Sequence, residues 1–262
     1  SERIKLVTQQ VSEFNSFMIF GAALSPGDIM KAIYEVFDNQ NIHYVAGNEG
    51  TYSDDKRYVL SLSSIIFLEW LGLLPVLKLH SNILISANLK GWLQSLVKAE
   101  LSSTSVGRLI VVDGKVSMVK ESPETRKPTV DRYKRMLVAI DDLPEISVST
   151  IDPKIRQIEK LDVESVQLAI DKKAVLLTED SAWQTIVHSD FHTFAGMSSM
   201  TLIGNEVTID STQSKKYAES MEKAFSHNTG WHPAEATVRV LMESLSLPRL
   251  LRLLNLSKKL FQ

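Results

Sequence analysis

Apolar positions recur with two different periods along this chain. Short continuous runs at Tyr58-Val59-Leu60, Ile83-Leu84-Ile85 and Val175-Leu176-Leu177 have the length of strands, and unbroken apolar character suits strands buried on both faces of a parallel sheet. Ile146-Ser147-Val148 and Met200 to Ile203 extend the series. Between these runs a helical period takes over. Ile65, Ile66, Leu68, Trp70 and Leu71 follow Ser63-Ser64, with Gly72 at the end; Leu89, Trp92, Leu93, Leu96 and Val97 follow Ser86. In both cases a serine stands where a side-chain oxygen can cap the first turn. Further helices are expected over 129–142, where Tyr133, Met136, Leu137 and Ile140 share a side, from Val163 to Asp171, and over 181–188. Leu109 to Val112 and Lys115 to Val119 flank Asp113-Gly114, a dipeptide that favours the positive φ angles of a tight hairpin turn. Residues 121–128 read as a charged loop.

The flanks are helical in pattern. Residues 4–24 and 26–39 read as two helices separated at Ser25-Pro26, with Ile29, Ala32, Ile33, Val36 and Phe37 on one face of the second. From Thr212 onward the helical period returns, with breaks at 227–233 and at Leu247-Pro248. The expected organisation is therefore an N-terminal helical extension over 1–56, an α/β domain over 57–210 and a C-terminal helical extension over 211–262. Strands alternating with helices predict a mostly parallel central sheet flanked by helices, with an inserted β-hairpin and extra N- and C-terminal helices.

Composition narrows the chemistry. Of 262 residues, 44% are hydrophobic and 23% charged, so a buried core is expected rather than disorder. There is no cysteine, which removes disulfides, thiolate metal sites and a cysteine nucleophile, and accords with a cytoplasmic location. The net charge of −2 neither predicts nor excludes a local basic patch. The longest apolar run, Leu60 to Leu77, is interrupted by Ser61, Ser63, Ser64 and Glu69, so no membrane span is expected. The start, Ser1-Glu2-Arg3, carries no initiator Met, and the expectation is a piece of a longer protein with neighbouring domains. Gly-rich phosphate loops, a Walker pattern and a G-x-S-x-G nucleophile elbow are all absent.

The segment from Leu161 to Ala182 carries the chemistry: a helix, two lysines, a buried strand, then Thr178-Glu179-Asp180. In open α/β sheets ligands bind beyond the carboxyl ends of strands, where this acidic pair falls. The pattern "apolar strand, Thr, x, Asp" resembles the end of a PIN-like nuclease domain. Tyr58 to Ser63 resembles its first strand, which normally ends in Asp, then x, then Ser, Thr or Asn, and Ile83-Leu84-Ile85-Ser86 resembles its second. The hairpin resembles a version in PIN-like domains of large bacterial conflict-type proteins that carry tetratricopeptide repeats. The resemblance spans about half the chain. It implies Mg or Mn held between carboxylates, with the ions activating water for phosphodiester cleavage.

The carboxylates depart from that pattern. Ser61 stands where the first Asp is expected, Trp92 falls near the second acidic position, and the third falls at Ser165 with Glu164 beside it. Asp180 is the clear match. The residues that would act in catalysis are Asp180 and Glu164, with Glu179 and Glu69 as further metal ligands and Asp54 and Asp55 close enough to compensate. Asp180 reads equally as an N-cap of the next helix. Arg126, Lys127, Arg132, Lys134 and Arg135 either line an RNA path or form a solvated face. A second basic group, Arg249, Arg252, Lys258 and Lys259, edges a leucine-rich helix. His188 and His192 are spaced for a shared zinc ion but stand where a helix should end, and His227 and His232 bracket a turn. Two functions follow from the resemblance. One is a PIN-like domain with a degenerate acidic site, acting in recognition or regulation within a larger bacterial protein. The other is an active Mg- or Mn-dependent ribonuclease.

Overall fold

The computed structural model describes residues 30, 33, 34, 37, 53, 55–102, 106–112, 115–155, 160–180, 195–199, 201, 215, 218–220, 222–223 and 246–248. Its centre is a five-stranded sheet in which every pairing is parallel. The strands are β1 (Tyr58–Leu60), β2 (Ile83–Ser86), β5 (Glu145–Ile146), β6 (Val175–Leu177) and β7 (Ala195–Met197), in the order β5-β2-β1-β6-β7. The hairpin strands β3 (Val106–Val112) and β4 (Lys115–Glu121) form a separate antiparallel pair, with Val112 opposite Lys115. That register leaves two residues for the turn, as Asp113-Gly114 predicts; the turn itself lies outside the described residues.

Period-two alternation divides the core. Tyr58, Leu60, Ile83, Ile85, Val175 and Leu177 join one apolar cluster, while Val59, Leu84 and Leu176 join the other. The first is covered by α1 (Leu62–Leu71), the 3₁₀ helix Leu74–Leu79, α2 (Ala87–Ser102) and α3 (Pro123–Ile140). The second is covered by α4 (Lys160–Lys172) through Val163, Val166 and Ala169. Met30, Ile33, Tyr34 and Phe37 are helical, buried, and part of the first cluster. Their i, i+3, i+4, i+7 spacing is that of one helix face; Ile33 and Phe37 belong to the face expected from sequence, whose other members, Ile29, Ala32 and Val36, lie outside the described residues.

Helix α1 is buried over its whole length, a central helix rather than an amphipathic one. Its N-cap is Ser61, whose Oγ accepts the Ser64 N–H at 3.3 Å, so the cap lies two residues earlier than Ser63. Gly72 ends it with φ +73°; its N–H donates to the Glu69 carbonyl and the Leu73 N–H to the Leu68 carbonyl. Ser86 caps α2 as expected, accepting the Leu89 N–H at 3.2 Å.

Three boundaries differ from the sequence expectation. Helix α3 begins at Pro123 and contains Pro128, where a charged loop over 121–128 was expected. Pro123 fits the first helical position, and Arg126 fastens this early turn to α2 by bonding both the carboxylate and the carbonyl of Glu100, which offsets the hydrogen bond Pro128 cannot make. Among the described residues the last sheet strand is Ala195–Met197, whose small Ala195-Gly196 pair carries little apolar signal; of the strand expected over Met200 to Ile203 only Thr201 is described, and it is helical. Leu247 and Pro248, expected as a break, are helical. The helices expected over 4–24 and 181–188 lie outside the described residues. No helix among the described residues is long and apolar enough to cross a membrane.

Two glycines test this description with opposite signs. Gly72 has positive φ, so Gly72→Ala is expected to destabilise the protein by about 1 kcal/mol even though no atom lies within 4 Å of an added Cβ. Gly91 lies inside α2 with the same open space, so Gly91→Ala is expected to stabilise by roughly 0.5–1 kcal/mol. Urea unfolding of both variants measures the pair, and equal signs would contradict the helix boundaries.

Candidate functional site

The order of the sheet locates a crevice. From β1 the chain moves outward through β2 to β5, then returns to lay β6 on the other side of β1 and continues to β7. Connections leave β1 and β6 in opposite directions, so their carboxyl ends flank the switch point where open α/β sheets bind ligands. Ser61 follows β1, Thr178-Glu179-Asp180 follows β6, and Ser198-Ser199 follows β7. All of these side chains are buried, as are Asp162 and Ser165 of α4.

Hydroxyls dominate the crevice. The Ser61 and Ser63 hydroxyls share a hydrogen bond at 2.8 Å, and Ser63 and Thr178 share one at 3.1 Å. Ser63 Oγ also accepts the Glu179 N–H, and Thr178 Oγ1 accepts the Asp180 N–H. The Glu179 carboxylate sits among four donors. Ser64 Oγ donates to Oε1 at 3.2 Å, Ser198 Oγ donates to Oε2 at 2.7 Å, and the Ser199 N–H and hydroxyl both donate to Oε1. Burial pushes the Glu179 pKa up, and these hydrogen bonds pull it partly back.

Asp162, in the first turn of α4, is the carboxylate that the sequence reading passed over. It is buried, and its Oδ1 accepts the Leu62 N–H at 2.9 Å, at the start of α1 and the end of β1. The third acidic position was placed at Ser165, but that residue turns its hydroxyl to the Leu60 carbonyl at 3.4 Å. Glu164, one residue away, is half-buried and its carboxylate accepts the Asn88 N–H at the start of α2; burial raises its pKa and that bond lowers it. Asp162 lies one helical turn before Ser165, so both sit on the same face of α4. The nearest buried carboxylate therefore lies one helical turn from Ser165, not at the neighbouring Glu164.

The other candidates lie elsewhere. Glu69, expected as a metal ligand, is near the far end of α1 and takes Arg135 Nη2 at 2.5 Å and Arg135 Nε at 3.1 Å, with Arg132 Nε 3.4 Å away. Its charge is answered by two guanidinium groups. Tyr34 also donates to it; burial, with Glu69 beside it, pushes that phenol far above its ordinary pKa. Arg132 stacks its guanidinium 3.7 Å from the centre of the Tyr34 ring. Arg126, expected to meet RNA, is buried against Glu100 with the ion pair at 2.6 Å. Of the five basic residues, Lys127 and Lys134 are exposed and Arg135 keeps 60% of its side chain exposed despite its pairing. Asp55 is exposed and its carboxyl is held below the ordinary range, first by the Ser53 hydroxyl. Asp54, the histidines at 188, 192, 227 and 232, and the basic group after 248 lie outside the described residues.

A divalent cation of the Mg or Mn kind wants several charged oxygens converging on one point. Among the described residues no three acidic or histidine side chains are grouped in that way. Asp162 and Asp180 are the other buried carboxylates at the switch point. Among the described residues, this donor set does not fit a metal pair clamping a phosphodiester.

Against known proteins, a family model for the PIN domain associated with the TPR-GreAB-C-PIN system matches residues 59–189, half of the chain. No curated protein and no solved structure matches it.

Glu179 yields a pH prediction. Its pKa is raised in the folded state, so its contribution to stability is complete below the ordinary value of 4.5 and is lost as pH rises from there through the folded pKa. Glu179→Gln keeps the shape and the acceptor oxygen but cannot ionise. The variant is expected to flatten the fall of unfolding free energy as pH rises above 4.5 and to be no less stable than wild type at pH 8. Glu179→Ala should cost about 1–3 kcal/mol, since it strips buried donors of their acceptor. A Gln variant much weaker than wild type at pH 8 would mean the ionised form is required.

Proposed function

The chain belongs to the PIN domains associated with the TPR-GreAB-C-PIN system, and on that premise we propose that its acidic site is degenerate and that it acts in recognition or regulation within a larger bacterial, cytoplasmic protein. The observation that carries this is the commitment of the Glu179 carboxylate to four internal donors. With Ser61 at the end of β1, two carboxylates remain where PIN nucleases use three or four. A hydroxyl brings no charge to neutralise a divalent ion, and hard cations select charged oxygens. Neighbouring domains, of the kinds named in the family's system, are the proposed partners. RNA is the proposed ligand, met by Lys127, Lys134 and Arg135 on the exposed side of α3.

Asp162 supports the second reading, an active Mg- or Mn-dependent ribonuclease. It adds a buried carboxylate beside the end of β1, and a single Mg²⁺ can be held by one or two carboxylates together with substrate phosphate oxygens. Degeneracy is still favoured, because both Asp162 and Asp180 are buried and Asp162 already accepts a backbone N–H.

Cleavage of single-stranded RNA with Mn²⁺ separates the two. Wild type, Asp162→Asn and Asp180→Asn are expected to show the same background. Metal-dependent cleavage in wild type that falls at least about 100-fold in both variants would establish the nuclease instead. RNA affinity is tested by salt titration of the Lys127→Ala, Lys134→Ala double variant. Two lost phosphate contacts should make the slope of log K against log salt shallower by roughly 1.4, from about 0.7 per contact on single strands. An unchanged slope removes α3 from the RNA contact.

A further inference from the structure

A helix leaves its last four carbonyls without partners inside itself, and those of α1 are satisfied from two sources. The turn after the helix supplies the first two: the Leu73 N–H donates to the Leu68 carbonyl and the Gly72 N–H to the Glu69 carbonyl. The C-terminal part of the chain supplies the other two. Lys223 Nζ donates to the Trp70 carbonyl and Ser220 Oγ donates to the Leu71 carbonyl at 3.0 Å. The Lys223 ammonium also lies 4.0 Å from the centre of the Trp70 ring.

The N-terminal part reaches the same turn. The Phe37 ring centre is 5.4 Å from both Phe67 and Trp70, and Tyr34 donates to Glu69. These contacting residues, 34, 37, 220 and 223, all fall outside the matched span of 59–189. The opposite end of α1 is the site itself, where Ser61 caps the helix and Ser63 and Ser64 bond Thr178 and Glu179. One helix of ten residues, roughly 15 Å at about 1.5 Å per residue, therefore has the site at one end and both terminal segments at the other.

We propose that α1 is the strut through which the N- and C-terminal segments set the order of the site, so that loosening either segment loosens the contacts of Ser63 and Ser64 with the residues after β6. A close-packed interior moves displacement along a rigid element rather than absorbing it, and every residue of α1 is buried. Trp70 is the meeting point, since its ring takes Phe37 from one segment and Lys223 from the other. The coupling is independent of whether the site cuts RNA or only recognises it.

Amide hydrogen exchange of the intact chain tests the strut. Tyr34→Phe removes only the hydroxyl on Glu69, and Lys223→Met keeps the apolar stem over Trp70 while removing the ammonium. Both changes are conservative enough for the fold to persist. Each is expected to speed exchange at the Ser64 and Glu179 amides, which donate to Ser61 Oγ and Ser63 Oγ, by about fivefold, the scale of one lost hydrogen bond. Arg126→Met, which breaks the buried pair with Glu100 away from α1, is the control and should leave those two amides at the wild-type rate. By reciprocity, Ser64→Ala at the site end should speed exchange at the Ser220 and Lys223 amides. Acceleration confined to the terminal segment that was altered, equal acceleration in the Arg126→Met control, or no response at Ser220 and Lys223 to Ser64→Ala would each overturn the proposal.

Discussion

The Glu179 carboxylate has no exposed surface, and two other chain segments are arranged around its two oxygens. Moving a carboxylate out of water costs several kcal/mol unless its lone pairs are met. Here they are met by Ser64 from α1 and by Ser198 and Ser199 after β7, while the backbone N–H of Glu179 itself goes to Ser63. None of these segments is adjacent in sequence. The side chain thus ties the carboxyl end of β6 to the start of α1 and to the end of β7. Among the described residues, the switch point of the sheet is thus held together by hydrogen bonds through this one side chain.

The same accounting of backbone groups explains the far end of α1. A buried helix terminus cannot leave its carbonyls to water, so something must cover them. The turn at Gly72 covers two, and the remaining two draw in Ser220 and Lys223 from well beyond the sheet. Glu69, in the same turn, is buried and charged, and its position is tenable because Arg132 and Arg135 come from α3 to meet it. Both ends of this helix are therefore solutions to polar groups buried inside the protein. That shared cause is why one element connects the site to the terminal segments.

The parallel sheet was legible because its signal is local. Runs such as Val175-Leu176-Leu177 declare a buried strand without reference to anything else, and Asp113-Gly114 between two β-rich runs declares a hairpin. The site was legible only in part. Asp180 and Glu179 follow directly from the strand before them, whereas the alternative uses of an acidic side chain depend on partners distant in sequence. Glu69 and Asp162 look alike as isolated letters. Glu69 is matched by Arg135, 66 positions away, and Asp162 meets the Leu62 amide, 100 positions away. The helix start at Pro123 was hidden for a related reason: Pro128 argues locally for a loop, and the Arg126–Glu100 contact that counters it spans two helices.

Basic residues obey the same logic, and it bears on what this surface can hold. Five cations between 126 and 135 suggest a phosphate track when read along the chain. Arg126 gives its guanidinium to Glu100, and Arg132 divides its own between Glu69 and the Tyr34 ring. An arginine turned inward onto a carboxylate brings little net positive charge to a passing phosphate, because the pair is close to neutral at the distance of a screened ligand. What remains on α3 is Lys127, Lys134 and the exposed part of Arg135. With the proposed RNA ligand, three such groups would make weak, salt-sensitive contact of the kind that positions a strand without reading its sequence. The arginines nearest the core thus shape α3 against its neighbours, and the lysines outside them are left to meet solvent or nucleic acid.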